Sequence, residues 1–201
     1  MHTSHQVLRF ACNQLKIIDR YEEIRTGFSF GGRKMKKHRK NGNLYLAIAF
    51  VMMIILFISS SMTYEQQSQV SLLDRLLSGE PFKEAMSSIS FTYAGSKVSI
   101  STLGYSKFIE FFIRKGAHFG SYFLLGGSLF LGLQPKLKQK QLVLAGFFAW
   151  FSATGYAAID EFHQMLTGGR TPLFQDVMLD SAGALTACLL IILYTQVMKK
   201  R

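Results

Sequence analysis

The apolar residues of this chain gather in four long runs separated by polar, charged segments. Leu44–Met62 carries no charged side chain in 19 residues, Gln141–Ile159 carries none in another 19, and Val177–Met198 has one acid, Asp180, in 22. Ala117–Leu133 is shorter and contains His118; Phe108–Ile113 extends it on the N-terminal side. A helix rises about 1.5 Å per residue and the hydrocarbon core is about 30 Å thick, so runs of this length cross a bilayer with modest tilt. The pattern predicts an all-α membrane protein, a four-helix transmembrane bundle with helices at about 44–62, 108–133, 141–162 and 177–198. The long connection 63–107 has patterns of its own. Val70, Leu72, Leu73, Leu76 and Leu77 fall at helical spacing and predict a short amphipathic helix on the membrane surface. Ile89–Tyr93 and Lys97–Ile100 alternate around Ala94-Gly95-Ser96, which predicts a small β-hairpin.

Composition narrows the class further. Of 201 residues, 49% are apolar and 17% charged, below the roughly 25% charged of ordinary globular domains. So much Phe, Leu and Ile excludes a disordered chain. Two cysteines, Cys12 and Cys188, cannot make a disulfide scaffold. The net charge of +11 would suggest nucleic acid in a soluble protein, but its placement argues otherwise. Residues 1–43 hold ten Lys and Arg, the 134–140 loop holds three, and the C-terminus ends Lys199-Lys200-Arg201. Sixteen of the 23 basic residues therefore fall on alternate connections. The positive-inside rule places both termini and the 134–140 loop in the cytoplasm, leaving 63–107 and the 160–176 turn outside. The excess charge reads as topology and contact with anionic membrane lipids, and no nucleic acid is expected. The expected organisation is a basic N-terminal segment 1–43, a membrane domain 44–198 and a basic tail 199–201. Gly31-Gly32-Arg33-Lys34 before Met35 also fits translation of a purine-rich ribosome-binding site, in which case 1–34 is an over-extended start.

Polar residues converge on the outward helix ends. The second helix carries Arg114, Lys115, His118 and Tyr122 at spacings that share one face. The third ends in Asp160, Glu161, His163 and Gln164; the following turn holds Arg170; the fourth begins with Asp176 and Asp180. Charges inside a bilayer cost on the order of 2.5–3.5 kcal/mol each at the centre and persist by facing the bundle interior with partners. A ligand-binding cluster of Lys115, His118, Tyr122, Asp160, Glu161, Gln164, Arg170, Asp176 and Asp180 is expected. There is no zinc-type His spacing, phosphate loop, nucleotide fingerprint or nucleophile elbow, so no metal and no cofactor is expected. Small residues at Gly116/Gly120 and Ala145/Ala149/Ala153 predict close helix packing.

The set Arg114-Lys115-Gly-Ala-His118-Phe-Gly-Ser-Tyr122, Asp160-Glu161-Phe-His-Gln164, Arg170, and Asp176-x-x-x-Asp180-Ser-Ala-Gly183 resembles the VanZ-like family of bacterial membrane proteins. The resemblance covers roughly residues 44–198. It implies a multi-pass protein of the bacterial cell envelope, in a family whose namesake is linked to resistance to teicoplanin-type glycopeptide antibiotics. Members commonly show Asn where this chain has Asp180. The resemblance supplies no reaction; besides a purely structural or partner-anchoring protein, two readings stay open. One is a site that binds an amphiphilic envelope ligand: a lipid, a lipid-linked precursor or a glycopeptide antibiotic. The other is an intramembrane enzyme, with His118 or Glu161 as general base and Tyr122 as proton donor. Oligomeric state is not legible in the sequence.

Overall fold

A computed structural model describes residues 42–137, 141–168 and 172–200. The chain divides into two units, Met1–His38 and Arg39–Arg201, and every described residue lies in the second. The N-terminal segment 1–41, the lysines Lys138 and Lys140, the turn residues 169–171 with Arg170, and Arg201 lie outside the described residues.

Four long helices form the bundle: α1 (Gly42–Ser60), α6 (Tyr105–Leu133), α7 (Leu142–Gly168) and α8 (Phe174–Lys200). The connection from α1 to α6 contains short helices α2 (Tyr64–Gln67), α3 (Val70–Leu76), α4 (Lys83–Ser87) and α5 (Ile100–Leu103). It also contains strands β1 (Ser90–Tyr93) and β2 (Ser96–Ser99). The strands pair antiparallel, Phe91 opposite Val98, as their alternation predicts. Ala94 and Gly95 have φ of +49° and +80°, the left-handed pair that a tight two-residue hairpin turn requires.

The helices have the reverse of a soluble bundle's pattern. Large apolar side chains point outward, among them Phe50, Ile54 and Ile58 of α1 and Phe147, Phe151 and Ile159 of α7. The interior packs small residues of α7 and α8 against Tyr122, Leu125 and Phe130 of α6. In α7, Ala145, Ala149, Ala153 and Ala157 recur every fourth position and are buried, and the stripe continues into Asp160 and Gln164. α6 packs against each of the other three long helices, running parallel to α8 and antiparallel to α1. A Cβ on Gly183 would lie 2.4 Å from the Phe119 carbonyl oxygen, so α8 crosses α6 at backbone contact. The expected packing glycines Gly116 and Gly120 are a correction: nothing lies within 4 Å of a Cβ at either. They face away from the α6–α8 contact made at Phe119, and the other close approaches of α6 fall at Gly126 and Gly132.

Among the described residues, three helices are long and apolar enough to cross a membrane: Gly42–Ser60, Leu142–Thr167 and Phe174–Met198. α6 is the longest but carries Lys107, Glu110, Arg114, Lys115 and His118 in its first half. Its boundaries also correct the expected ones. It begins at Tyr105 rather than 108; α7 runs to Gly168 rather than 162; and α8 begins at Phe174 rather than 177. The cause is common to all three. Apolar runs stop at the first charge, whereas a helix continues if its polar turns meet polar turns of its neighbours.

Candidate functional site

The C-terminal ends of α1 and α7 and the N-terminal halves of α6 and α8 meet at one end of the bundle. The α1–α6 connection folds over that end. Its first turn, α2, is fixed by a capping box, the Thr63 hydroxyl accepting from Gln66 N while Gln66 Oε1 accepts from Thr63 N at 2.9 Å. The Gln67 side-chain amide donates to the Ser59 carbonyl, and the Arg114 guanidinium donates to Gln67 Oε1 at 3.4 Å. Buried Glu110 accepts from Gln69 N at 2.6 Å, satisfying a free amide at the start of α3. Further along, the Tyr105 hydroxyl donates to the Pro81 carbonyl at 2.8 Å, and Phe91 packs on Phe111 and Phe112.

One carboxylate holds the hairpin to the bundle. Asp176 Oδ1 accepts from Lys115 Nζ at 2.5 Å and from the Tyr93 hydroxyl at 2.5 Å. The Lys115 ammonium also lies 4.7 Å from the Tyr93 ring centre and 5.6 Å from that of Phe111. Burial, reinforced by the bond to Asp176, raises the Tyr93 phenol above its usual pKa, so Tyr93 stays a donor at neutral pH.

Deeper in the bundle, His118 Nδ1 lies 3.4 Å from Asp180 Oδ2, and Gln164 Nε2 donates to Asp160 Oδ2 at 3.3 Å. The other oxygens of Asp160 and Asp180 and the Tyr122 hydroxyl are buried without a hydrogen bond of normal geometry. Glu161 points elsewhere. Its Oε1 accepts from Leu173 N at 2.7 Å and tethers the α7–α8 turn.

Two cavities open at this end. The first, about 350 Å³, is lined by Leu56 and Ile113 and by Ser60, Gln67, Arg114, His118, Asp160 and Gln164. The second, about 600 Å³, lies beneath the hairpin. It is lined by Tyr93, Lys97, Lys107, Glu110, Phe111, Arg114, Lys115, Glu161, Gln164 and Asp176. Arg114 and Gln164 belong to both, so the two cavities share a wall.

The expected cluster is therefore split. His118, Asp160 and Gln164 line the first cavity; Lys115, Glu161, Gln164 and Asp176 line the second. Asp180 stands behind His118, Tyr122 is buried away from both walls, and Arg170 lies outside the described residues. His163 joins neither cavity. It stacks on Phe57 at 4.5 Å and shares a 2.7 Å hydrogen bond with Ser60 Oγ, which pins α7 to α1. Among the described residues no group of three or more His, Cys, Asp or Glu could hold a metal ion. Sequence reasoning missed Glu110, Tyr93, Lys97 and Lys107. Glu110 carried a legible signal, since an acid inside the apolar run FIEFFI must find a partner. The other three reach the site only through the hairpin's placement.

A family model described as VanZ/LLP1 matches residues 45–195, about three quarters of the chain. No curated protein matches and no solved structure matches.

Proposed function

The chain belongs to the VanZ-like family, and from that premise we propose that it is a multi-pass protein of the cell envelope whose polar end binds an amphiphilic ligand. In this reading α6 is the fourth crossing helix, held in the bilayer by the three apolar helices around it, and the polar end faces outward. Lys136 and Asn43, hydrogen-bonded at 2.8 Å at the opposite end of the bundle, then face the cytoplasm with the basic termini. The observation that carries the proposal is the pair of cavities with a common wall. Each combines apolar lining with charged groups near the level where a lipid's headgroup meets its chains. Membrane lipids, lipid-linked precursors and glycopeptide antibiotics share that chemistry.

The test is native mass spectrometry of the full chain released from membranes, comparing wild type with Arg114→Ala. The expected result is a copurifying amphiphile on the wild type and its loss from the variant. Wild type free of any bound amphiphile overturns the reading.

A second reading rests on His118. Its ring lines the first cavity while its Nδ1 faces Asp180, the arrangement by which a carboxylate orients an imidazole for proton transfer. In the catalytic version His118 takes the base role, because Glu161 is committed to a backbone amide. Chemical change of a bound amphiphile by wild type and not by His118→Gln supports it.

A further inference from the structure

The charges around the second cavity do not cancel locally. Three acids line it, and each has a partner. Asp176 holds Lys115 and Tyr93, Glu161 accepts from Leu173 N, and Glu110 accepts from Gln69 N. Of the cations on the same wall, Lys115 is bound to Asp176. Lys97 of β2 and Lys107 of α6 both line the cavity, and neither side chain forms an ion pair or hydrogen bond among the described residues. With Arg114, four cations face three acids on this lining, a formal net charge of +1, so the charge offered to a visitor is positive. The same lining includes Val98, Leu103, Phe111 and Leu173, which supply an apolar floor.

We propose that the second cavity is an anion site, in which Lys97 and Lys107 grip a phosphate or other acidic headgroup between the hairpin and α6 while the apolar floor takes the adjoining chain. This rests on the amphiphile reading above and names the charge of the amphiphile. The Tyr93–Asp176–Lys115 contact has a separate part. It holds the hairpin over the cavity and keeps Lys97 opposite Lys107, so Lys115 is a positioning residue and not the principal anion contact. Two lysines at about 1 kcal/mol of headgroup attraction each correspond to about fivefold in retention per lysine.

The experiment places the full chain in phosphatidylcholine nanodiscs doped with either phosphatidylglycerol or a polyprenyl diphosphate, and native mass spectrometry counts the anionic lipid retained. The expected result is preference for at least one anionic lipid. Lys97→Ala with Lys107→Ala should lower retention about twentyfold or more, and Lys97→Arg with Lys107→Arg should keep it. Preference for phosphatidylglycerol identifies a headgroup of the surrounding membrane, and preference for the diphosphate a lipid-linked carrier; both support the site. Equal retention by wild type and the alanine pair overturns the anion site while leaving the amphiphile reading in place. So does equal retention of phosphatidylcholine. Retention of no lipid by any variant overturns both. Unchanged thermal unfolding of the alanine pair in detergent separates lost binding from lost fold.

Discussion

At the scale of single residues, Asp176 does the most. Its side chain is 17% exposed and that of Lys115 is 21% exposed, so this pair is neither a free surface contact nor a fully dry one. Asp176→Ala leaves an ammonium and a phenol without their acceptor. Thermal unfolding should register a loss of about 1–3 kcal/mol. Lys115→Met with Asp176→Leu, which removes both charges, should recover part of that loss. If Asp176→Ala unfolds like wild type, the contact does not hold the hairpin. His163 provides the contrast. Its ring is used by Phe57 and Ser60, so His163→Leu should lower stability and leave lipid retention per folded molecule unchanged. These two roles could not be told apart from spacing. His163 lies two residues past Glu161, which on a helix turns its side chain to nearly the opposite side, and only the packing of α1 decides what it meets there.

At the scale of elements, the α6–α8 crossing and the hairpin respond to substitution in opposite directions. Gly183→Val puts a branched side chain against the Phe119 carbonyl, where even a Cβ would lie at 2.4 Å. Backbone cannot yield as a flexible side chain can, so the yield of folded protein should collapse; Gly116→Ala, facing open space, should leave it intact. In the hairpin, Ala94 holds a φ of +49° that an L residue adopts at a cost of about 1 kcal/mol or more. Ala94→Asn should therefore slow hydrogen exchange in the strands, read at the Val98 amide. The hairpin and α3 were legible because their local patterns suffice: alternation for one, helical spacing for the other. Leu73 of α3 is buried while Leu72 and Leu76 face out, as an amphipathic turn requires. The starts of α6 and α8 and the end of α7 were not legible, because polar turns read as helix ends until the polar turns of partner helices supply their company.

At the scale of the whole molecule, the described residues form an inside-out bundle with its candidate site at one end, and four apolar runs with alternating basic connections made most of that visible. What remained hidden was the partition of the polar cluster. Spacing along each helix placed eight side chains, and the following turn Arg170, at one depth, but depth does not say which way a side chain turns around the bundle axis. Sidedness is open to direct measurement. Single cysteines at Ser96 and Lys136, in chains with Cys12 and Cys188 replaced by serine and alanine, should react with a membrane-impermeant maleimide from opposite faces of oriented vesicles. Reaction of both from one face would end the multi-pass topology proposed here. The partition formed by Arg114 and Gln164 has a practical corollary. Two fragments, each filling one chamber weakly, would sit a single side chain apart. A short tether passing over that divide would make the second docking intramolecular, and the joined compound should bind far more tightly than either half, by an avidity no single-chamber compound can reach.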